Sequence, residues 1–323
     1  MNDVLYKKRL TNFFDNLLID VPQLYQKHPI SKSQDAKPNF FPLIRTPVHR
    51  IYRSPLIPLK YRRYFYHGLR RTNLDQSWFE EFKEYWSHVL KGRPLWGIYD
   101  LLFLKNLYRV KFQNNQVPDT DDANVHFEAW QKPELIYQLL HLVCRQYISD
   151  QLRILKELKK LRLNISRASM LEFGCAIAPV TSSLYEFFKV KPEFKIYIAD
   201  IQTLAFHFAI YRFRHCSNVI PILLKPENDF LLCLDDTLDV IFCMAVFEHL
   251  NRPLDTVKTF HNRLKRGGVL FFDYIKGEGE GLDTRHGVRQ RDDVLGFISE
   301  NFDLVHGSVS KQQSIGLTIV RKK

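Results

Sequence analysis

The most constraining feature of this 323-residue chain is a change of rhythm after Asn164. From there, short apolar runs (SMLEF, IYIAD, VIPILL, LDVIFCMA, GGVLFFDYI, FDLVHGSV, SIGLTIV) alternate with segments of helical periodicity: PVTSSLYEFF, TLAFHFAIYRFR, PLDTVKTFHNRL and RDDVLGFISENF. Strands separated by helices of this length join as right-handed βαβ units, because a parallel neighbour is reached only through a crossover. The last two runs are linked by a few polar residues, too few for a crossover helix, so they form an antiparallel hairpin. The pattern predicts an α/β, Rossmann-like sheet of seven strands, mostly parallel, with the hairpin at its C-terminal end. It also sets a division into residues 1–165, mainly helical, and 166–323.

The first region carries amphipathic stretches near its start, over Ser77–Leu90, over Trp96–Val110 and from Pro133 onward. Prolines recur between Phe41 and Pro58 and forbid long helix. Residues 41–71 are basic and aromatic without a single acid, and they supply part of the formal charge of +12. Such a balance admits nucleic acid, an anionic membrane surface or an anionic small substrate. Hydrophobic content of 45% with 25% charged residues is that of a globular protein. No run is long enough to span a bilayer, and the N-terminus lacks the order of a secretory signal, so the expectation is a soluble cytoplasmic protein. The five cysteines form no CxxC pair and no Cys/His spacing typical of zinc. Reduced, buried thiols and no metal are expected.

In an open α/β sheet, ligands bind beyond the carboxyl ends of the strands, near the switch in strand order. After the first strand stands Glu172-Phe173-Gly174-Cys175-Ala176-Ile177-Ala178-Pro179, a turn that lets a ligand approach the backbone. After the second stands Asp200, followed by Ile201; its carboxylate suits the two hydroxyls of a ribose, or it caps the helix starting near Thr203. After the fourth stands Ala245-Val246-Phe247-Glu248-His249-Leu250.

Taken in order, LEFGCAIAP, IYIAD, LDVIFCMAVFEHL and LKRGGVLFFDYI resemble the class I S-adenosylmethionine-dependent methyltransferases, small-molecule type, over about the last half of the chain. The resemblance implies S-adenosylmethionine as cofactor, with S-adenosylhomocysteine as product. The family's first loop reads acid-x-Gly-x-Gly-x-Gly; Glu172 and Gly174 match it, whereas Ala176 and Ala178 stand where the later glycines belong. The cofactor residues so implied are Glu172, Gly174, Cys175, Ala176, Ala178, Asp200, Ile201, Ala245 and Glu248. Glu227, Asn228 and Asp229 are implied near the adenine. LKRGG is expected as a helix ending at Gly267-Gly268. His249 is the candidate general base, with a purely structural role as its rival. The glycines Gly277, Gly279 and Gly281, ahead of Arg285 and His286, suit either a closing loop or an ordinary flexible one.

The implied activity is methylation of oxygen or nitrogen on a small molecule or glycan or natural-product precursor, with a carrier- or nucleotide-linked anionic substrate as partner. A nucleic-acid (RNA) methyltransferase is the main alternative, although no NPPY- or DPPY-like tetrapeptide follows the fourth strand. A non-catalytic methyltransferase-like module and a nicotinamide-dependent oxidoreductase are further alternatives.

Overall fold

The computed structural model describes residues 81, 82, 84–89, 149–187, 193–276 and 283–323. The basic-aromatic segment 41–71, the expected helix over 96–110, Cys144 and the glycines Gly277, Gly279 and Gly281 lie outside them. Of the expected helix over 77–90, a turn of π-helix at Tyr85–Val89 is described, with Tyr85 and Trp86 buried.

The α/β unit takes in residues 153–323. Helix α1 (Ser149–Lys160) leads to β1 (Ser169–Phe173), α2 (Pro179–Phe187), β2 (Lys195–Asp200), α3 (Leu204–Arg212) and β3 (Val219–Leu223). Then follow β4 (Leu238–Cys243), α4 (Pro253–Arg263), β5 (Leu264–Tyr274), α5 (Arg285–Arg289), α6 (Arg291–Asn301), β6 (Phe302–His306) and β7 (Ile315–Lys322). The sheet has seven strands in the order β3-β2-β1-β4-β5-β7-β6. β3 to β5 are parallel neighbours, while β7 runs antiparallel to both β5 and β6. This is the α/β architecture expected, hairpin included. The chain first builds outward from β1 to β3 and then returns to place β4 on the other side of β1. The switch in strand order therefore lies between β1 and β4.

The central strands are buried on both faces, which is why they read as continuous apolar runs. Leu171 and Phe173 of β1 and Ile241 and Cys243 of β4 join one cluster with Val257 and Phe260 of α4 and Leu295 and Ile298 of α6. The alternate residues, Met170, Val240 and Phe242, are just as buried but lie outside that cluster. Phe173 meets Phe260 edge-on at 5.0 Å between centroids, a favoured arrangement of two aromatic quadrupoles.

Two expectations are corrected. Helix α4 stops at Arg263, and LKRGG belongs to β5. Leu264 has extended backbone, and the β4–β5 register slips between Leu238↔Leu264 and Val240↔Val269. The glycines thus sit in an irregularity of the strand, where Gly267 takes φ 75°. The thiols are free at Cys175, Cys216, Cys233 and Cys243, as expected, but Cys216 is only partly buried and Cys233 is exposed. The segment of Cys233, LLCLDD, follows β3 as irregular chain with no sheet face to bury it.

Candidate functional site

The site grows out of three tight turns at the carboxyl edge of the sheet. After β1 the chain takes left-handed backbone at Gly174 (φ 62°), Ala176 (φ 47°) and Ala178 (φ 50°). These are the positions at which the acid-x-Gly-x-Gly-x-Gly pattern carries glycine, so the two alanines adopt the glycine conformation rather than a different turn. Each does so at a cost of about 1–2 kcal/mol, because its Cβ crowds the following carbonyl oxygen. At Gly174 the same substitution would also collide with a neighbour. A Cβ there would lie 2.3 Å from Val246 Cγ2, so the side chain that follows β4 rests on the bare backbone of the first turn.

Glu172 holds this loop from below. Its carboxylate is buried and accepts Val180 N–H (3.0 Å), Thr181 N–H (2.8 Å) and the Thr181 hydroxyl (2.6 Å). Pro179 at the first position of α2 has no N–H to satisfy, so these are the first free donors of the helix. Burial pushes the Glu172 carboxyl up to about 7 against the pull of those donors. Glu172 shapes the turn through the helix it caps.

Asp200 ends β2 and ties the two loops together. One carboxylate oxygen accepts Ala176 N–H at 2.6 Å and the other accepts Ile201 N–H at 2.7 Å. Burial pushes Asp200 up to about 6 in spite of both donors. It does not cap α3: Thr203 does, accepting Phe206 N–H at 3.1 Å. The strand end is fixed further by Cys175 N–H donating to Ala199 O (3.2 Å) and Leu224 N–H donating to Asp200 O (2.9 Å). Each carboxylate oxygen has two lone-pair directions, so the loop bonds leave Asp200 acceptor capacity. Cys175 is buried and its thiol is pushed well up by burial, with the charges of Asp200 and Glu172 adding to the rise, which keeps it inert.

After β3, Pro226–Asn228 form a short 3₁₀ turn with Glu227 and Asn228 exposed. Asp229 takes left-handed backbone (φ 51°) and pairs with Arg252 at 2.5 Å. Arg252 also binds Asp255 at the start of α4, so the β3 loop is linked across to the segment that follows β4.

After β4, exposed Ala245 is left-handed (φ 54°), and its N–H donates to Asp273 Oδ1 at 2.5 Å. Glu248 is 2% exposed, and its Oε2 has no hydrogen-bond partner. Burial pushes this carboxyl up to about 7, with Asp283 adding to the rise and the Glu248 backbone N–H opposing it. His249 Nδ1 stands 3.3 Å from Asp283 Oδ1. Burial raises Asp283, and the neighbouring His249 acts the other way.

Sequence reasoning missed Asp273, Asp283 and the residues that hold the latter. Asp273 could have been found, because it stands near the end of β5 in FFDYI much as Asp200 ends β2. Asp283 lies in a polar loop, and only coordinates reveal what it faces. Arg285 is exposed and His286 partly buried on α5. No group of three or more His, Cys, Asp or Glu side chains that could hold a metal ion is found among the described residues.

Residues 144–300 match the sequence model of a family described as a methyltransferase domain. A search of curated proteins finds no match. Among solved structures, the chain is similar to the N-methyltransferase NodS from Bradyrhizobium japonicum WM9 in complex with S-adenosyl-L-homocysteine. That likeness has 18% identity and a TM-score of 0.38, and covers 56% of this chain and 96% of that one. It is also similar to a SAM-dependent methyltransferase from Aquifex aeolicus, at 19% identity and TM-score 0.41, covering 55% of this chain and 92% of the other. A third likeness is to an S-adenosylmethionine-dependent methyltransferase from Clostridium acetobutylicum ATCC 824, at 13% identity and TM-score 0.41, covering 58% and 97%. None of these structural likenesses carries a conclusion by itself. With the domain match, the sheet order and the two turns joined by Asp200, the C-terminal half of this chain belongs to the class I S-adenosylmethionine-dependent methyltransferases.

Proposed function

We propose that this protein transfers a methyl group from S-adenosylmethionine to an oxygen or nitrogen of a small molecule, such as a glycan or natural-product precursor. The observation that carries the proposal is the bond from Ala176 N–H to Asp200 Oδ2, 2.6 Å, which joins the left-handed turn to the carboxylate that ends β2. S-adenosylmethionine brings a ribose with two hydroxyls, an ammonium, a carboxylate and a sulfonium. The residues present fit this inventory. Asp200 keeps acceptor capacity for hydroxyls, and Glu248 has a buried oxygen without a donor. Glu227, Asn228 and Asp229 are assigned to the adenine, and Cys175, Ile201 and Ala245 to the walls of the cleft.

When bound, the cofactor supplies a methyl group already activated by the positive sulfur. What remains for the chain is to align an acceptor with that methyl, exclude water and take a proton. Alignment of two bound reactants supports effective molarities of about 10⁵ M or more. His249 is the base in this reading, since it follows β4 at the rim of the cleft. The basic excess of the chain (+12) supports an anionic handle on the substrate, a phosphate or a charged carrier, remote from the reacting atom. The free thiols support a reducing compartment, the cytoplasm.

Calorimetry with S-adenosylhomocysteine on the full chain tests the first step. Binding in the micromolar range is expected, and no heat at millimolar ligand with a folded protein would mean a non-catalytic module. A crystal of that complex then displays the shape and charge beside the sulfur. Binding of an RNA oligonucleotide that falls steeply between 50 and 200 mM salt, on the order of a thousandfold, would favour the nucleic-acid alternative instead.

A further inference from the structure

His249 alone makes a poor directed base, because a neutral imidazole carries its proton on either nitrogen. The partner on one nitrogen decides which other one accepts. The backbone around His249 is held in a way that fixes this partner. Thr284 N–H donates to Glu248 O at 2.9 Å, and the Thr284 hydroxyl donates to Leu250 O at 2.6 Å, so Thr284 straddles His249 from both sides. Thr284 also caps α5, accepting Gly287 N–H at 2.8 Å. Gly287 is pressed so close that a Cβ would meet Glu248 O at 2.4 Å. The Tyr274 hydroxyl donates to Gly287 O, anchoring α5 to the end of β5. Asp283 immediately precedes this clamp. Its position against His249, 3.3 Å from Nδ1 to Oδ1, follows from main-chain bonds rather than from two loose side chains meeting at a surface. The Asp283 side chain is only 11% exposed and that of His249 31%, so water competes weakly for the contact.

We propose that Asp283 is a positioning residue of the methyl transfer: it receives the Nδ1 proton of His249 and thereby fixes Nε2 as the nitrogen that accepts the acceptor's proton. This rests on the reading of His249 as the base. The acceptor is then a group that bears a proton, a hydroxyl or an amine. In the step, the methyl carbon exchanges its bond to sulfur for one to the acceptor atom, the C–S electron pair stays on sulfur, and the acceptor's proton passes to Nε2. The Asp283 carboxylate offsets the charge that appears on the ring. Glu248 sits close enough to Asp283 for its carboxyl to feel that charge, and burial favours its neutral form.

The test is nitrogen NMR of the full chain labelled with ¹⁵N-histidine, with His249 assigned by loss of its signals in His249→Gln. In the unsubstituted protein the neutral ring is expected to carry its proton on Nδ1. Asp283→Ala is expected to reverse the preference to Nε2, and Asp283→Asn to weaken it, with binding of S-adenosylhomocysteine kept within twofold in both. A ring protonated on Nε2 in the unsubstituted protein, or an unchanged tautomer in Asp283→Ala, overturns the proposal. Should Asp283→Ala not fold, Asp283→Asn decides, since an unaltered tautomer balance in it counts against the charge of Asp283. Absence of cofactor binding in the unsubstituted chain sinks the methyltransferase reading instead, and leaves the tautomer measurement standing on its own.

Discussion

Asp200 spends part of its carboxylate on the chain itself, through Ala176 and Ile201, and this makes its contribution to binding measurable. Asp200→Ala removes both the proposed ribose acceptor and the brace of the first turn. Affinity for S-adenosylhomocysteine should fall by about 1–3 kcal/mol, the scale of hydrogen bonds to a charged group; unchanged affinity in a folded variant refutes the role. The pH dependence follows from the same residue. With Asp200 raised to about 6, the ionised form that accepts hydroxyls is scarce below that value. Binding should therefore strengthen as pH rises, by about tenfold between pH 5 and pH 7.5, and a flat profile by calorimetry would contradict it. At Ala176 and Ala178 the usual effect of glycine is inverted. Ala176→Gly and Ala178→Gly relieve left-handed strain, so each should leave stability unchanged or raise it by up to about 1 kcal/mol, where glycine ordinarily costs that much. Urea denaturation reads the difference.

The elements were legible because their periods differ so sharply. Apolar runs buried on both faces can only be central strands, and the polar link before SIGLTIV can only be a hairpin. What escaped was local. LKRGG reads as the end of a helix because Lys and Arg suit a helix C-terminus and glycine a cap, yet Leu264 was already committed to β5 by its pairing with Leu238. Glu172 and Asp200 were singled out by their place near the ends of β1 and β2. That Glu172 would serve the helix N-terminus was not readable, because the number of donors a carboxylate meets depends on how the turn closes. Asp283 was missed for the same reason. A test at this scale concerns the contact between the first turn and the segment after β4. Gly174→Ala adds a methyl to left-handed backbone, 2.3 Å from Val246. It should cost about 2–4 kcal/mol, left-handed strain plus overpacking. The variant Gly174→Ala/Val246→Ala, with room restored, should recover only the overpacking part.

At the scale of the whole domain, three carboxyls, Glu172, Asp200 and Glu248, are pushed up to about 7, about 6 and about 7 by burial. Their folded values exceed their unfolded ones, so the native state holds more protons than the unfolded chain between about pH 4 and pH 7. Their contribution is complete below that window and is lost as pH rises through it. His207 has the opposite slope: it is buried and lowered to about 3, so its contribution is lost as pH falls from its ordinary value toward 3. Above about pH 7 the described carboxyls dominate the slope. The melting temperature of the cofactor-free protein should fall by a few degrees from pH 6 to pH 8. Saturating S-adenosylhomocysteine, which favours ionised Asp200, should flatten that slope; a rise with pH by scanning calorimetry would contradict the account.

One buried side chain connects the far end of the sheet to the clamp around His249. Arg291, at the start of α6, donates to the carbonyls of Ser310, Lys311 and Gln313 in the turn between β6 and β7, and its guanidinium lies 5.4 Å from the Tyr274 ring centre. Tyr274 in turn anchors Gly287. The terminal hairpin is thus tied, through Arg291 and Tyr274, to the clamp around His249. A chimera that grafts a foreign hairpin onto this domain, without a turn offering the same cluster of carbonyls, would inherit a displaced His249 along with its new edge.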